Sequence, residues 1–242
     1  DDEAALLQKL TDTIKQVLAS KLTFTSPAIM PDVKFGDHIF QALFNYKANA
    51  QWEGHLFKYK LQSNGQIGNK VWDAGEKLDS KKASARNIWT VGQSYPSGIN
   101  NFTTSNLTYL KGDMYFNATQ DTDANANKLI EFIRGIDSYD EDGDGKTNDE
   151  RWKLGDIYHS QIAIVGPPSA HSTNTNLFTE SYYRKSNQYD NFKQSNKNRK
   201  TVVLAGGNDG MLHAFDSSNG NELWAFIPPS IIPNLRNVIS SK

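Results

Sequence analysis

Hydrophobic positions near the start of the chain repeat at three- and four-residue intervals: Leu6, Leu7, Leu10, Ile14, Val17 and Leu18. That spacing lays one apolar stripe along a helix. Asp1, Asp2 and Glu3 sit where the helix dipole favours negative charge. A helix is therefore expected over residues 1–21, serving as a packing connector or laying its stripe on a partner. From about Leu22 the period shortens towards that of strands. Ile39, Ala42 and Phe44 lead to Tyr46 and a polar turn around Asn49 and Gln51, and a second run extends from Gly54 to Leu61. Ser63-Asn64-Gly65 then signals a hairpin, since Asn and Gly both tolerate positive φ, and Trp72 follows.

A related arrangement returns late in the chain. Thr201 to Ala205 is a β-branched strand, Gly206-Gly207-Asn208-Asp209-Gly210 a tight turn, and Met211 to Asp216 a second strand. The turn Ser217-Ser218-Asn219-Gly220 and the run Glu222 to Phe226 complete the unit. Gly54, Leu56 and Tyr59 before Asn64-Gly65 match Gly210, Leu212 and Phe215 before Asn219-Gly220, with a Trp after each. Repeated meanders of this kind point to β-propeller blades; two similar hairpins of a β-sandwich are the alternative. The expected fold is thus mainly β. Residues 22–242 would form an incomplete, modified β-propeller, with an insertion at about 95–150. Within the insertion, strands are expected at Leu107–Leu110 and Met114–Asn117. A short helix should follow, carrying Leu129, Ile130, Phe132 and Ile133. Residues 168–200 read as a long polar loop bearing Arg184, Lys185, Lys193, Lys197, Arg199 and Lys200. Loops of this length are usually functional or mobile, and the basic stretch is either solvated or faces anionic glycans or pilins.

Composition narrows the function classes. The net charge of −1 gives no global pull towards nucleic acid or anionic membrane. No apolar run reaches the roughly 20 residues of a transmembrane helix. No basic and hydrophobic leader precedes Asp1, so any signal peptide is already removed or lies outside this sequence. The absence of cysteine removes disulfides, zinc-thiolate sites and cysteine nucleophiles. Abundant Asn, Ser, Thr and Gly with frequent aromatics suit short strands and polar turns on an exported protein.

The sharpest chemical signal is the run from Asp137 to Glu150. Asp140, Asp142 and Asp144 alternate and Gly145 follows, the first half of an EF-hand-type calcium loop. Calcium takes six to eight hard oxygens, and alternate side chains of a curled loop turn inward to supply them. A glycine at the sixth position permits the bend that aims the next carbonyl, that of Lys146, at the ion. The twelfth position is Arg151 in place of the usual bidentate Glu, so Glu150 is the expected substitute, with Asn148 or Asp149 as further candidates. No second helix is expected, because Trp152 to Ile157 reads as the start of a strand. A single loop entered from a helix and left into a strand should be a structural clamp, not a sensor. Seven carboxylates and one lysine within fourteen residues would repel one another without a cation. The histidines His38, His55, His159, His171 and His213 show no zinc-site spacing. His159 and His213 are expected to be packed and hydrogen-bonded in strands. Ser160 and Ser169 lack a nucleophile elbow, and the Gly206–Gly210 turn lacks the lysine and helix of a phosphate loop. No catalytic set emerges.

Four segments in order carry a family resemblance. They are Trp72-Asp73-Ala74-Gly75 with the Arg86–Thr90 run, and Phe132 to Asp137 running into the Asp-rich loop. Then come Trp152 to Ser160 with Gly166-Pro167-Pro168, and Gly206 to Asp216 with Glu222 to Pro228. From about Leu22 onward the chain resembles the C-terminal propeller domain of PilY/PilC-type adhesins of type IV pilus tips. The resemblance implies a modified propeller at the cell surface, on the pilus tip and associated with the outer membrane. It implies roles in pilus biogenesis, extension and retraction, in adhesion and in virulence. Partners would be pilin or minor pilin subunits and host-cell surface receptors, and the protein would not be an enzyme. Family members carry a D-x-D-x-D-G calcium loop, and the resemblance leaves open whether the Asp140 loop is that site or an additional one. Arg134-Gly135 is followed by Ile136, so no integrin-type tripeptide is present. Two alternatives share propeller-like repeats: a fragment of a quinone-cofactor dehydrogenase, and an outer-membrane assembly scaffold.

Overall fold

The computed structural model describes residues 28–29, 38–47, 50–92, 95–114, 119–158 and 160–239. The helix expected over residues 1–21 lies outside them, as does His159. Two sheets dominate. The first holds β1 (Ala28–Ile29), β2 (His38–Asn45), β3 (Glu53–Leu61) and β4 (Ile67–Asp73) in that order, all antiparallel. In the second, β6 (Ala163–Val165), β7 (Val202–Gly206), β8 (Leu212–Asp216) and β9 (Glu222–Phe226) form an antiparallel meander. β5 (Ile88–Trp89) adds to it in parallel beside β9. The protein is therefore sheet-rich and mainly β, built on two successive meanders. No sheet closes on itself among the described residues.

Strand periodicity predicts the hairpins well, but the turn chemistry differs in detail. The β3–β4 turn is closed by Gln62 N–H to the Gln66 carbonyl at 2.9 Å and Gly65 N–H to the Gln62 carbonyl at 2.9 Å. Only Gly65 is left-handed (φ +82°), and in the β8–β9 turn only Gly220 (φ +78°). Neither Asn64 nor Asn219 uses its tolerance for positive φ, because these loops are longer than two residues. A loop of this length needs one left-handed position, not the pair of a two-residue hairpin.

The two sheets stack face to face. Phe40, Ala42, Leu56 and Trp72 of the first meet Val203, Ala205 and Phe215 of the second in one buried cluster, joined by Leu78, Leu154 and Ile157. Trp72 Nε1 donates to the Ser217 carbonyl at 3.2 Å, and Lys58 Nζ donates to the same oxygen at 2.8 Å. A Cβ on Gly220 would stand 2.9 Å from the Trp72 ring, so the second turn is pressed against that indole. Trp72 and Trp224 each lie on the face opposite their sheet's buried histidine but differ in burial. Trp72, across from Lys58, faces the other sheet and is buried, whereas Trp224, across from Ala214, faces away from the first sheet and is half-buried.

A second core surrounds the helix Asp123–Arg134. Thr122 caps it by accepting from Asn125 N–H at 3.1 Å, and Gly135 (φ +117°) ends it. Leu129, Ile130, Phe132 and Ile133 pack on Ile88, Phe102, Leu110, Ala225 and Leu235. The strand expected at Leu107–Leu110 is instead a helical turn flanked by 3-10 turns at Thr104–Asn106 and Lys111–Asp113. Leu107 and Leu110, three apart, both reach that core while Tyr109 is exposed, which is helical spacing. Met114 ends the second of those turns, and residues 115–118 lie outside the described ones. The stretch 168–200 is not a bare loop, since it contains helices Glu180–Ser186 and Tyr189–Ser195. Its basic residues are largely engaged: Arg184 with Glu180, Lys185 with Asp190, Lys200 with Asp216, and Arg199 with the Gly166 carbonyl.

Candidate metal centre

Local backbone rules build the acidic loop. The helix Asp123–Arg134 stops at Gly135, and the chain then curls through left-handed residues at Asp140 (φ +53°), Gly143 (φ +74°) and Gly145 (φ +83°). Asp140 is one of the few residue types that visit this region without glycine. The loop's two ends are zipped together. Asp137 N–H donates to the Asp149 carbonyl at 2.8 Å, Ile136 bridges Glu150, and Arg151 N–H donates to the Gly135 carbonyl at 2.9 Å. The buried Asp137 holds the first bend, its carboxylate oxygens each accepting from Glu141 N–H at 2.9 Å.

Within the closed loop, Asp140, Asp142 and Asp144 each bring a carboxylate oxygen within 4.8 Å of the others. These three could hold a metal ion. Gly145 N–H donates to Asp140 Oδ1 at 3.1 Å, and Asp144 N–H to Asp142 Oδ1 at 3.1 Å, which fixes the side chains towards the loop interior. Lys146 sits beside them, its amide 2.8 Å from Asp144 Oδ1 and its ammonium paired with the other oxygen. That pairing holds the Asp144 carboxyl below its usual range and lifts the Lys146 ammonium above its own.

Glu150 is held elsewhere. Its Oε1 accepts from Ala83 N–H at 3.1 Å, and its Oε2 pairs with the buried Lys153 ammonium at 2.8 Å. Burial alone would raise the Glu150 pKa, but the Lys153 and Ala83 hydrogen bonds outweigh it and lower it. Asp149 has one carboxylate oxygen shielded from solvent and without a hydrogen-bond partner. Arg151, at the twelfth loop position, pairs with Glu141 at 3.3 Å and lies 4.0 Å over the Phe132 ring. It anchors the loop to its helix and supplies no ligand.

After the loop, residues 151–157 form an extended strap, not the expected strand. Gly54 N–H donates to the Leu154 carbonyl at 2.8 Å, and Gly155 bridges Glu53, so the strap touches the first sheet. Gly155 N–H donates to Asp209 Oδ2 at 2.8 Å and Asn208 N–H to the Asp156 carbonyl at 2.9 Å, so it touches the second sheet's turn as well. The acidic loop thus feeds directly into the segment that laces the two sheets.

A buried ionic chain lies beside this strap, and sequence reading found only its histidine. Arg86 grips Glu222 with both Nε (3.0 Å) and Nη2 (2.8 Å); Glu222 Oε1 meets His213 Nδ1 at 3.0 Å; His213 Nε2 meets Asp209 Oδ2 at 2.9 Å. Burial lowers a histidine's pKa, but attraction to Asp209 and then Glu222 outweighs it and lifts His213 to about 9. Glu222 and Asp209 fall below their usual ranges, since the neighbouring cations overcome the cost of burial. The expectation of a packed, hydrogen-bonded His213 agrees with this. The first sheet carries a related device: His55 Nδ1 meets Asp73 Oδ2 at 2.7 Å, and the His55 and Phe57 rings stack at 5.5 Å, as His213 and Phe215 stack at 5.7 Å. The His-x-Phe spacing is the signal that could have revealed it.

Comparison with known proteins bears on the whole chain. The type IV pilus biogenesis factor PilY1 of Pseudomonas aeruginosa strain UCBPP-PA14 is 28% identical over 245 residues, covering 97% of this chain and 20% of that protein. The PilY1 factor of strain PAK is 27% identical over 253 residues, covering 98% of this chain and 21% of its own length. The chain is a homologue of PilY1 factors. A PilY1 homologue from Xylella fastidiosa strain Temecula1 is 38% identical over 106 residues, which cover 44% of this chain and 8% of that protein. The chain spans about a fifth of the length of the P. aeruginosa PilY1 proteins it matches. No family model matches it, and no solved structure does. No described helix is long and apolar enough to cross a membrane.

Proposed function

We propose that this chain is a calcium-clamped pair of propeller blades within a non-enzymatic, cell-surface component of type IV pilus biogenesis and adhesion. Similarity to PilY1 factors along nearly the whole chain supports the pilus role. The single observation that carries the calcium reading is the convergence of Asp140, Asp142 and Asp144 in a loop bent by Gly143 and Gly145. Hard, charged oxygens in that number suit calcium, which tolerates mixed carboxylate, carbonyl and water ligands. The Lys146 carbonyl and Asp149, one of whose carboxylate oxygens has no hydrogen-bond partner, are the candidates to complete the shell. Glu150 would join only by giving up Lys153 and the Ala83 amide.

Calcium here acts as a clamp. Closing the loop sets the spacing between the helix Asp123–Arg134 and the strap, and the strap holds both sheets. A blade reading is favoured over a two-sheet sandwich by the second sheet's outward face, where Val202, Leu204, Leu212, Trp224 and Phe226 stand beside Asp216 and a sandwich would present mainly polar residues to water. Partners would be pilin or minor pilin subunits and host-cell receptors, outside the cell at the pilus tip and in association with the outer membrane. The test is calorimetric titration of calcium into chelated protein, paired with complementation of pilus assembly by Asp142→Ala. Binding heat that vanishes in the variant, with reduced piliation, is expected; unchanged piliation and no calcium heat in the parent would overturn the reading.

A further inference from the structure

The stretch 168–200 between β6 and β7 has no core of its own. Its helices Glu180–Ser186 and Tyr189–Ser195 bury no residue, and neither hydrophobic core includes a side chain from it among the described residues. Polar ties hold it in shape instead. Ala170 N–H donates to the Tyr189 hydroxyl at 3.2 Å, Arg184 Nε to the His171 carbonyl at 2.8 Å, and Thr173 N–H to the Ser181 carbonyl at 3.2 Å. The incoming chain is thereby fastened to both helices, and it turns back at Asn176 to Thr179, where Thr179 N–H donates to the Asn176 carbonyl at 3.4 Å. Thr179 then caps the first helix by accepting from Tyr182 N–H at 3.3 Å.

The central positions of such a turn normally go to Gly, Pro, Asn, Asp or Ser. Here they are Leu177 and Phe178, 60% and 94% exposed, and Tyr183 and Phe192 on the helices that follow are exposed too. Large apolar side chains left in water gain nothing from folding, so their placement points to a contact outside the chain. Charge narrows the kind of contact. Residues 168–200 hold six Lys or Arg against two Asp or Glu, whereas the rest of the chain holds 20 against 25. Glu180 and Asp190 are already paired with Arg184 and Lys185 inside the stretch. Lys193 and Lys197 form no ion pair among the described residues. We propose that this basic helical hairpin is a membrane contact, in which Leu177 and Phe178 enter the headgroup boundary of a bilayer while Lys193 and Lys197 meet its anionic phosphates.

A bilayer fits these features better than a protein partner does. A protein interface buries a contiguous, shape-matched patch around a central anchor. In the hairpin the bare apolar side chains are interrupted by Asn174, Thr175, Asn176, Ser186, Asn187 and Gln188, all exposed. A fluid interface needs no matching surface. It takes single Leu and Phe side chains into the acyl boundary, tyrosine rings at headgroup level, and lysines whose stems bend their ammonium groups to the phosphates. Two inserted side chains and a few cations give weak, reversible attachment that salt loosens. The inference rests neither on the calcium clamp nor on the arrangement of the sheets.

The protein at its native length would be sedimented with sucrose-loaded vesicles of phosphatidylcholine, alone or with phosphatidylglycerol added as the anionic lipid. Binding to the anionic vesicles is expected, and it should weaken as salt rises. Leu177→Ser with Phe178→Ser, and separately Lys193→Glu with Lys197→Glu, should each lower the partition coefficient at least about tenfold. The unfolding midpoint should not change, because none of the four side chains is buried. On cells, a benzophenone amino acid in place of Phe178 should cross-link to lipid. No binding by the parent overturns the inference, as does equal binding to phosphatidylcholine alone, or binding that both pairs of substitutions leave intact. Cross-linking of position 178 to a protein in place of lipid overturns it as well and assigns the turn to a protein partner.

Discussion

The buried chain Arg86–Glu222–His213–Asp209 predicts an unusual pH dependence of stability. His213 is fully buried and has its pKa lifted to about 9, against 6.5 for an ordinary histidine. A group whose folded pKa is raised contributes its full stabilisation below the unfolded value and loses it as pH rises through the folded one. The window is therefore pH 6.5 to 9, with stability falling towards alkaline pH. Raising the pKa from 6.5 to about 9, at about 1.4 kcal/mol per pH unit, is worth about 3–4 kcal/mol. For a protein of this size that is a fall in Tm of roughly 7–14 °C across the window. Asp209 is the largest favourable charge on His213 and Glu222 follows, with Arg86 behind Glu222. Asp209→Asn keeps the shape and removes the charge, so its stability should be lower at pH 6.5 and nearly level from pH 6.5 to 9. Urea unfolding of both proteins at half-unit pH steps measures this directly. A parent curve that is flat over the window, or a variant that keeps the parent's slope, refutes the reasoning.

Other outcomes follow from named contacts. Asp142→Ala should abolish the calcium-dependent rise in Tm, which in the parent reaches about 2.7 kcal/mol of stabilisation at a hundredfold excess of calcium over Kd; scanning calorimetry with and without chelator reads it. Gly220→Ala forces a Cβ within 2.9 Å of the Trp72 ring at φ +78°, and should cost about 1–3 kcal/mol in urea unfolding. Trp72→Ala should cost about 3–5 kcal/mol, since it empties the space between the sheets and removes the donor to Ser217.

Much of this architecture is written in local pattern. Alternation in residues 39–44 and 54–61, with Gly65 and Gly220 at the turns, marks both hairpins. Asp140, Asp142 and Asp144 come together as their two-residue spacing suggests. What sequence hides is what depends on distant residues. Arg86 and Glu222 are 136 positions apart, and only folding reveals that each neutralises the other. Glu150 looks like a calcium ligand by its place in the loop, yet Lys153, three residues on, and the Ala83 amide hold it outside the cluster. Leu107 to Leu110 is too short for periodicity to separate strand from helical turn. Trp72 and Trp224 share the face opposite the histidine in their own sheets, yet only Trp72 meets the other sheet, because the histidine face of the second sheet packs on that face of the first.

These parts converge on the strap from 151 to 157. Its Gly155 has no room for a side chain, since a Cβ would lie 2.6 Å from the Asp209 amide and 2.4 Å from Gln51 Nε2. Gly54 is as tight, with a Cβ there 2.0 Å from the Gly155 carbonyl oxygen. Backbone is therefore wedged between the first sheet and the turn of the second. Asp209 is shared: one oxygen receives both Gly155 N–H and His213, so the ionic chain ends on the strap. The acidic loop closes on the strap from its other end through Arg151, whose amide binds the Gly135 carbonyl. An ion gathered by three loop aspartates would thus steady a segment that two sheets and a buried histidine already grip. Its energy would appear as resistance of the sheet stack to shearing, and not as movement of a lid.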